Sequence, residues 1–160
     1  MKTILAPIDF SGVSDEVLAQ AAALARSLDG HVVLLTVIQP PRVIAEYAPL
    51  LQDIAEITMA GEKAAALKLA SLQEKLRRDF ISCETVQVVG APVAHILSEA
   101  KRARADYIVM GSHGHTALYD LLVGSTTHGV LSRATCPVVI VPASVPAKRP
   151  EHSMERAGAV

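Results

Sequence analysis

The chain has 160 residues, of which 51% are hydrophobic and only 3% aromatic. This length suits a single domain with a substantial core, which must be built from aliphatic side chains. With 15 basic and 16 acidic residues the formal net charge is −1, which excludes a general electrostatic affinity for nucleic acid. No apolar run approaches the ~18 residues needed to cross a bilayer, so we expect neither a nucleic-acid nor a membrane partner.

The cysteines and the amino terminus bear on the compartment. Cys83 and Cys136 are far apart and form no Cys-x-x-Cys motif, which favours small apolar packing residues in a reducing environment. The apolar stretch at residues 3–8 is too short for a signal peptide and is interrupted too soon. Together these features predict a cytoplasmic protein.

Five short apolar runs predict the strands of one sheet. Most of them are continuous rather than alternating, which is typical of parallel strands that are buried on both faces. The third run begins with an alternating pattern, as expected nearer the edge of a sheet. The predicted strands cover residues 3–8, 31–38, 82–89, 107–110 and 138–141.

Helical patterns occupy the intervals between these runs. Ser14 is the expected N-cap of a first helix that ends near residues 29–30. A long second helix covers residues 52–79, and Pro92 opens a third at its first turn, where proline is tolerated. A fourth helix covers residues 125–134. The inward stripe of the long helix is expected at Met59, Glu62, Ala65, Leu69, Leu72 and Leu76.

Two segments lack a clear pattern. Two consecutive prolines, Pro40 and Pro41, end the second strand, and residues 43–51 fit either a mobile loop or a loose helical turn. After Pro142 the apolar periodicity disappears and further prolines follow. We therefore interpret residues 143–160 as a flexible tail that is dispensable for folding, outside a single domain at residues 1–142.

A glycine pattern follows the fourth strand. Gly111 comes directly after the strand and Gly114 three positions later, and after nine intervening residues Gly124 and Ser125 open a helix. Glycines at such a turn let backbone N–H groups approach a ligand, and a helix start adds unpaired amides and a positive dipole. This spacing suits a polyphosphate. The alternative is that the glycines merely turn the chain and that Ser125 is an ordinary N-cap.

The complete pattern resembles the nucleotide-binding signature of the universal stress protein family, Gly-x2-Gly-x9-Gly-(Ser/Thr). Three other stretches are similar to that family in the same order along the chain. The resemblance covers residues 1–142, which we take as a universal stress protein domain. The further stretches are Ile-Leu-Ala-Pro-Ile-Asp-Phe-Ser at 4–11, Val-Gly-Ala-Pro at 89–92 and Cys-Pro-Val-Val-Ile-Val-Pro at 136–142.

Strands that alternate with helices predict an α/β fold with an open, doubly wound, five-stranded parallel sheet and helices on both faces. The most economical strand order is 3-2-1-4-5. The resemblance implies the same order, in a Rossmann-like fold of the adenine nucleotide alpha hydrolase kind. The order reverses between strands 1 and 4, and ligands bind at such a switch point. Asp9 and Gly111 follow these two strands, so both signals converge on one crevice.

The resemblance also implies roles for individual residues. Pro7, Ile8 and Asp9 would line the adenosine, and Val37 would meet the adenine through its backbone. Asp9 could instead cap a turn, Val37 could belong to the core, and Thr126 and Thr127 could simply occupy a first helical turn. The positions that would lie against the ribose and phosphates are Met110, Gly111, Ser112, His113, Gly114, His115, Gly124, Ser125, Thr126 and Thr127.

The expected ligand is ATP, or AMP or ADP in its place, with a Mg²⁺ ion bridging the phosphates as a further option. The family often carries Arg and Gly where this chain has His115 and Ala117. A histidine with a pKa near 6.5 is mostly neutral at pH 7. These two departures predict a weaker hold on a triphosphate relative to a monophosphate.

The function implied is that of a nucleotide-gated binding module in the stress response. It would form a homodimer through Val138–Val141, whose apolar edge would otherwise be exposed, and would bind a protein partner that the sequence does not identify. Residues 111–129 contain no lysine or arginine and no nucleophile–base pair at a diagnostic spacing. We therefore expect no catalytic residues and at most slow ATP hydrolysis.

Three alternatives stay open at the level of sequence. The turn at residues 10–15 suggests an ATP-consuming enzyme of the related pyrophosphatase type, but Gly12 is its only glycine. A second alternative is a stress-linked interaction module that binds no nucleotide. A third is a metal site at His113 and His115 with His128 or Cys136, although two histidines on a loop are weak support without a third ligand at a recognised spacing.

Overall fold

The computed structural model describes residues 1–40, 51–112 and 124–142. Within these ranges all nine predicted elements are present, and their ends differ from the expected ones by up to three residues. The elements are β1 (Thr3–Pro7), α1 (Ser14–Ser27), β2 (His31–Ile38), α2 (Leu51–Arg78), β3 (Cys83–Val89), α3 (Pro92–Arg102), β4 (Tyr107–Gly111), α4 (Ser125–Leu131) and β5 (Val138–Val141).

The five strands form one parallel sheet in the order β3-β2-β1-β4-β5, which confirms the predicted topology. In the central pairs Thr3 lies opposite His31, and Ile4 lies opposite Tyr107. The chain winds outward in one direction from β1 to β3 and in the other from β4 to β5. The carboxyl ends of β1 and β4 therefore diverge at the centre of the sheet, where a crevice forms.

Helices cover both faces of the sheet. On one face α1 and α2 pack over a cluster that includes Ile4 and Leu34, and on the other α3 and α4 pack over Leu5 and Val33. All four of these strand side chains are fully buried, although neighbours along a strand point to opposite faces. Burying each large aliphatic side chain stabilises the fold by about 1.5–3 kcal/mol. Burial on both faces explains why the strands read as continuous apolar runs.

The start of α1 differs from the prediction. Val13 is the N-cap residue and Ser14 is the first helical residue, and no side-chain hydrogen bond caps the helix. Val13 is only 6% exposed, so its packing holds the entry of the chain into the helix. The Ser14 amide donates to the Ser11 carbonyl at 3.0 Å, which closes the preceding turn without a cap from Ser14.

The buried stripe of α2 is shorter than predicted. Ala65, Leu69 and Leu76 are buried, but Met59 is 68% exposed, so its assignment to the core was wrong. Met59 lies about 100° around the helix axis from the centre of the buried stripe, so its side chain faces away from the sheet. With 28 residues, α2 extends about 42 Å, whereas the longest strand, with 8 residues, extends about 27 Å. The amino-terminal part of α2 therefore projects past the carboxyl edge of the sheet.

The turn before α3 follows the prediction. Pro92 stands in the first turn of the helix, and Gly90 has a φ of 149°, a conformation that favours glycine. The fourth helix ends at Leu131, three residues earlier than expected. Of the ambiguous segment at residues 43–51, Leu51 is the first residue of α2, and the other positions lie outside the described residues, as does the predicted tail at residues 143–160.

Candidate functional site

A cavity of about 200 Å³ opens at the carboxyl ends of the central strands. Its walls come from the ends of β1, β2 and β4 and from the first turns of α1, α3 and α4, so it occupies the predicted switch point. The described residues that line it are Pro7, Ile8, Asp9, Val13, Ser14, Val17, Leu35, Val37, Gln39, Pro92, Ile96, Met110, Gly111, Gly124, Ser125, Thr126 and Thr127.

Ten residues that the sequence singled out meet at this cavity: Pro7, Ile8, Asp9, Val37, Met110, Gly111, Gly124, Ser125, Thr126 and Thr127. Ser112 is not among the lining residues and is 6% exposed. His113, Gly114 and His115 lie outside the described residues. The two signals found separately after β1 and β4 are thus brought together in space, as the strand order requires.

Seven lining residues were not predicted: Val13, Ser14, Val17, Leu35, Gln39, Pro92 and Ile96. Gln39 had a signal, since it follows Val37 by two residues and the period of a strand is two. The residues on α1 and α3 had no comparable signal. Apart from Ser14, these residues have apolar side chains that are equally suited to a helix face packed on the sheet, and the local pattern does not distinguish a residue of the cavity wall from a residue of the core.

Asp9 holds the turn that forms one wall of the cavity. Its Oδ1 accepts hydrogen bonds from the Ser11 amide at 2.9 Å and from the Ser14 hydroxyl at 3.3 Å. This is the turn-capping role that carboxylates often take. The same side chain is exposed and lines the cavity, so capping and a position at the site coexist in one residue.

The start of α4 forms the opposite wall. Gly124 is the N-cap residue, and its amide donates to the Ser112 carbonyl at 2.7 Å. That amide is therefore already engaged within the protein. Ser125 and Thr126 follow in the first turn, where N–H groups have no acceptor within the helix. The amide donors that this wall offers to a ligand come from those positions rather than from Gly124.

Two buried threonines fix the floor of the cavity. The Thr127 hydroxyl donates to the Gly111 carbonyl at 2.8 Å, and the Thr36 hydroxyl donates to the Ile8 carbonyl at 3.0 Å. Both threonines are less than 5% exposed. Each of these hydrogen bonds gives a donor to a carbonyl at the end of a strand or just beyond it, where the neighbouring strand does not provide one. The Thr127 side chain thus positions the site instead of presenting its hydroxyl to a ligand.

We expect Thr127→Val to lower the stability of the protein. Valine has nearly the same shape, so the substitution removes the hydroxyl and leaves the Gly111 carbonyl without this donor. The expected loss is about 1–3 kcal/mol, which for a domain of this size lowers Tm by roughly 2–12 °C. Thermal unfolding followed by circular dichroism measures it. Thr127→Ser and Thr126→Val are the controls and should unfold near the wild-type temperature; an unchanged Tm in Thr127→Val would contradict the assignment.

The charges and thiols around the site are few. Of the described lining residues, Asp9 alone carries a charged side chain. Burial raises the pKa of the Cys83 thiol to about 11 and also raises that of Cys136. Both thiols are therefore protonated at neutral pH, as expected for packing residues. The described residues contain no group of three or more metal-binding side chains, and none of their helices is long and apolar enough to cross a membrane.

This architecture defines a doubly wound α/β domain with a cavity at its switch point. A family model described as the universal stress protein family matches residues 1–142, and the chain belongs to that family. It is 31% identical over 144 residues to universal stress protein YxiE of Bacillus subtilis, covering 86% of this chain and 97% of that protein. It is 30% identical over 141 residues to universal stress protein MJ0531 of Methanocaldococcus jannaschii, covering 88% and 81%.

Solved structures share the fold. The structure of MJ0577, also from Methanocaldococcus jannaschii, has a TM-score of 0.78 with 29% identity and covers 91% of this chain and 98% of that chain. A universal stress protein in complex with cAMP gives 0.67 with 22% identity, covering 89% and 98%. A universal stress protein of Archaeoglobus fulgidus in complex with dAMP gives 0.61 with 23% identity, covering 88% and 97%.

Proposed function

We propose that this protein binds an adenine nucleotide in the switch-point cavity and acts as a nucleotide-gated regulatory module in the stress response. The observation that carries the proposal is the meeting of two independent sequence signals, Asp9 after β1 and Gly111 with Gly124 around the β4–α4 connection, on one cavity. The solved relatives that hold cAMP and dAMP support an adenine nucleotide as the class of ligand.

The chemistry of the cavity suits such a ligand in two parts. Leu35, Val37, Ile96 and Met110 provide apolar surface of the kind that buries a base. The first turn of α4 provides amide and hydroxyl donors together with the positive end of the helix. ATP is the nucleotide we propose, with AMP or ADP as the smaller ligands and Mg²⁺ as a bridge between phosphates.

Calorimetric titration of the full chain with ATP, AMP and GTP tests the proposal. We expect saturable binding of the adenine nucleotides and weaker binding of GTP. Nucleotide released by denaturing the freshly purified protein would provide a second readout, because a resident ligand absorbs as adenine. Absence of binding to every nucleotide, in protein that unfolds cooperatively, would make this chain an interaction module that works without nucleotide.

We expect ATP turnover below about 1 s⁻¹, the low end for enzymes. Phosphoryl transfer needs charge on the transferred group and a positioned acceptor, and residues 111–129 contain no lysine or arginine. Donors that hold substrate and transition state equally well do not raise the rate. Steady-state phosphate release from purified protein measures it. Faster turnover that disappears in Gly124→Val would identify the protein as an ATPase instead.

The proposal includes a homodimer that pairs through β5. This strand bonds to β4 on one side, and no other strand of the described residues pairs with its other side. The Ile108 amide donates to the Pro137 carbonyl, so the alternation of a strand turns the N–H and C=O groups of Val138 and Ile140 away from β4. An apolar strand with such an edge favours pairing with a second copy.

The remaining parts of the proposal concern the surroundings of the protein. The affinity for a protein partner would depend on whether nucleotide is bound, since we propose that the protein acts by binding and not by catalysis. Cys83 and Cys136 are both free thiols, which is typical of a reducing compartment such as the cytoplasm. Pull-down of partners with and without ATP would identify proteins whose binding depends on the ligand.

A further inference from the structure

Gln39 is the polar side chain at the β2 end of the switch-point cavity. It lines the cavity, is exposed, and forms no hydrogen bond with any other described residue. Asp9 and Ser14 also line the cavity but bond to each other, and Thr127 bonds to the Gly111 carbonyl. Among the described lining residues away from the start of α4, Gln39 is therefore the polar side chain whose donors and acceptor are all left for a ligand.

The backbone at Gln39 is held by both of its neighbours in the sequence. The Ile38 carbonyl accepts a hydrogen bond from the Gly90 amide at 2.8 Å, which ties the end of β2 to the end of β3. Pro40 follows, and the residue before a proline is largely confined to extended conformations. The Gln39 side chain thus starts from a fixed position at the edge of the cavity.

Gln39 continues the apolar side of β2 that lines the cavity. Leu35 and Val37 belong to the same hydrophobic cluster as Ile96 and Met110. Side chains alternate along a strand, and the extended backbone carries this alternation on to Gln39, about 7 Å beyond Val37. An apolar surface that ends in one amide is suited to a flat heteroaromatic ring with polar groups at its edge.

The donors that the proposed function assigns to the phosphates lie at the other end of the cavity. Ser125 and Thr126 stand in the first turn of α4, and Thr127 bonds that turn to the Gly111 carbonyl at the end of β4. Because β1 lies between β2 and β4, the ends of those two strands are about 9–10 Å apart. The sugar of a nucleotide separates its base from its phosphates, so phosphates at α4 place the base toward β2 and Gln39.

We propose that Gln39 is a specificity-determining residue that binds the edge of the nucleotide base, an inference that rests on the proposed function. A primary amide presents an acceptor and a donor side by side, and adenine presents its exocyclic amine beside a ring nitrogen that accepts. The Gln39 carbonyl accepts from the exocyclic amine, and its NH₂ group donates to the ring nitrogen. The residue thus selects for a purine that carries this amine.

Calorimetric titration of the full chain with ATP and with purine riboside triphosphate, which lacks only the exocyclic amine, tests this contact. Wild type should bind ATP more tightly than the analogue. Gln39→Met keeps the length of the side chain but removes its amide, so it should narrow this difference by about threefold to tenfold, the effect of one hydrogen bond. Because Gln39 is exposed, the variant should unfold at the wild-type temperature.

Gln20→Met is the matched control. Gln20 is exposed on α1 and does not line the cavity, so its substitution should leave the preference for ATP over the analogue unchanged. If Gln39→Met keeps the full wild-type preference, Gln39 does not bind the amine, and this inference fails while the proposed function stands. If Gln39→Met instead alters the preference for ATP over 2′-deoxy-ATP, the side chain contacts the ribose, which also overturns the inference. Absence of ATP binding to folded wild type would overturn both proposals.

Discussion

Gly124→Val is expected to abolish nucleotide binding. Gly124 lines the cavity at the start of α4, and its amide is held by the Ser112 carbonyl, so the residue has little freedom to move aside. Valine adds a branched side chain at the wall of a cavity of only about 200 Å³. Calorimetry with ATP and AMP should detect no binding at concentrations that saturate wild type, which corresponds to a loss of about 100-fold or more in affinity.

The matched control for this experiment is Gly12→Val. Gly12 lies in the β1–α1 connection close to the site, yet a side chain there would meet nothing within 4 Å and the residue does not line the cavity. The same substitution should therefore leave the affinity near that of wild type. Thermal unfolding of both variants separates binding from folding. ATP affinity that persists in folded Gly124→Val would overturn the position of the site.

The fold could be predicted from the sequence because the strongest pattern, the five apolar runs, extends over the whole domain. Parallel strands buried on both faces must be apolar throughout, and each of the five runs is bounded by turns, helices or prolines. Because connections are short, do not cross one another and make right-handed crossovers between parallel strands, only a few strand orders are possible. The sequence pattern did not settle which positions of α2 face the sheet: Met59 continues the three- and four-residue steps of the predicted stripe, but its side chain is 68% exposed.

The residues that line the cavity also include some that the sequence predicted and some that it did not. Residues at the ends of strands, such as Asp9 and Gly111, could be predicted because the strand order decides where those ends meet. Val17 and Ile96 could not, since their place on the cavity wall depends on how α1 and α3 rotate against the sheet. Hydrogen bonding within the site was also inaccessible: the Thr127 side chain reads as a ligand contact in the motif but bonds to the Gly111 carbonyl.

The cavity and the edge strand are linked by two consecutive backbone hydrogen bonds. The Gly124 amide donates to the Ser112 carbonyl, and the Ser112 amide donates to the Val141 carbonyl at 2.8 Å. Ser112 therefore joins the wall of the site to the last residue of β5. A ligand that orders the start of α4 has a direct structural route to the strand through which we propose that two copies pair.

Replacing Ile140 with proline is expected to convert the proposed dimer to a monomer. Proline removes the Ile140 amide, which faces away from β4, while the bonds to β4 pass through the alternate residues Val139 and Val141. Pairing across a twofold axis loses this donor in both copies. Val141→Lys would not separate loss of the dimer from loss of folding, because the Val141 side chain is only 5% exposed and packs in the core.

The control is Ile140→Ala, which removes more of the side chain but keeps the amide. If backbone pairing at the edge holds the copies together, the alanine variant stays dimeric while the proline variant sediments as a monomer, and both unfold cooperatively. Dissociation of both variants would assign the contact to the side chain instead. A proline variant that remains dimeric at about micromolar concentration, where a stable interface is populated, would exclude β5 as the shared strand, and the copies would then have to meet through another surface of the domain.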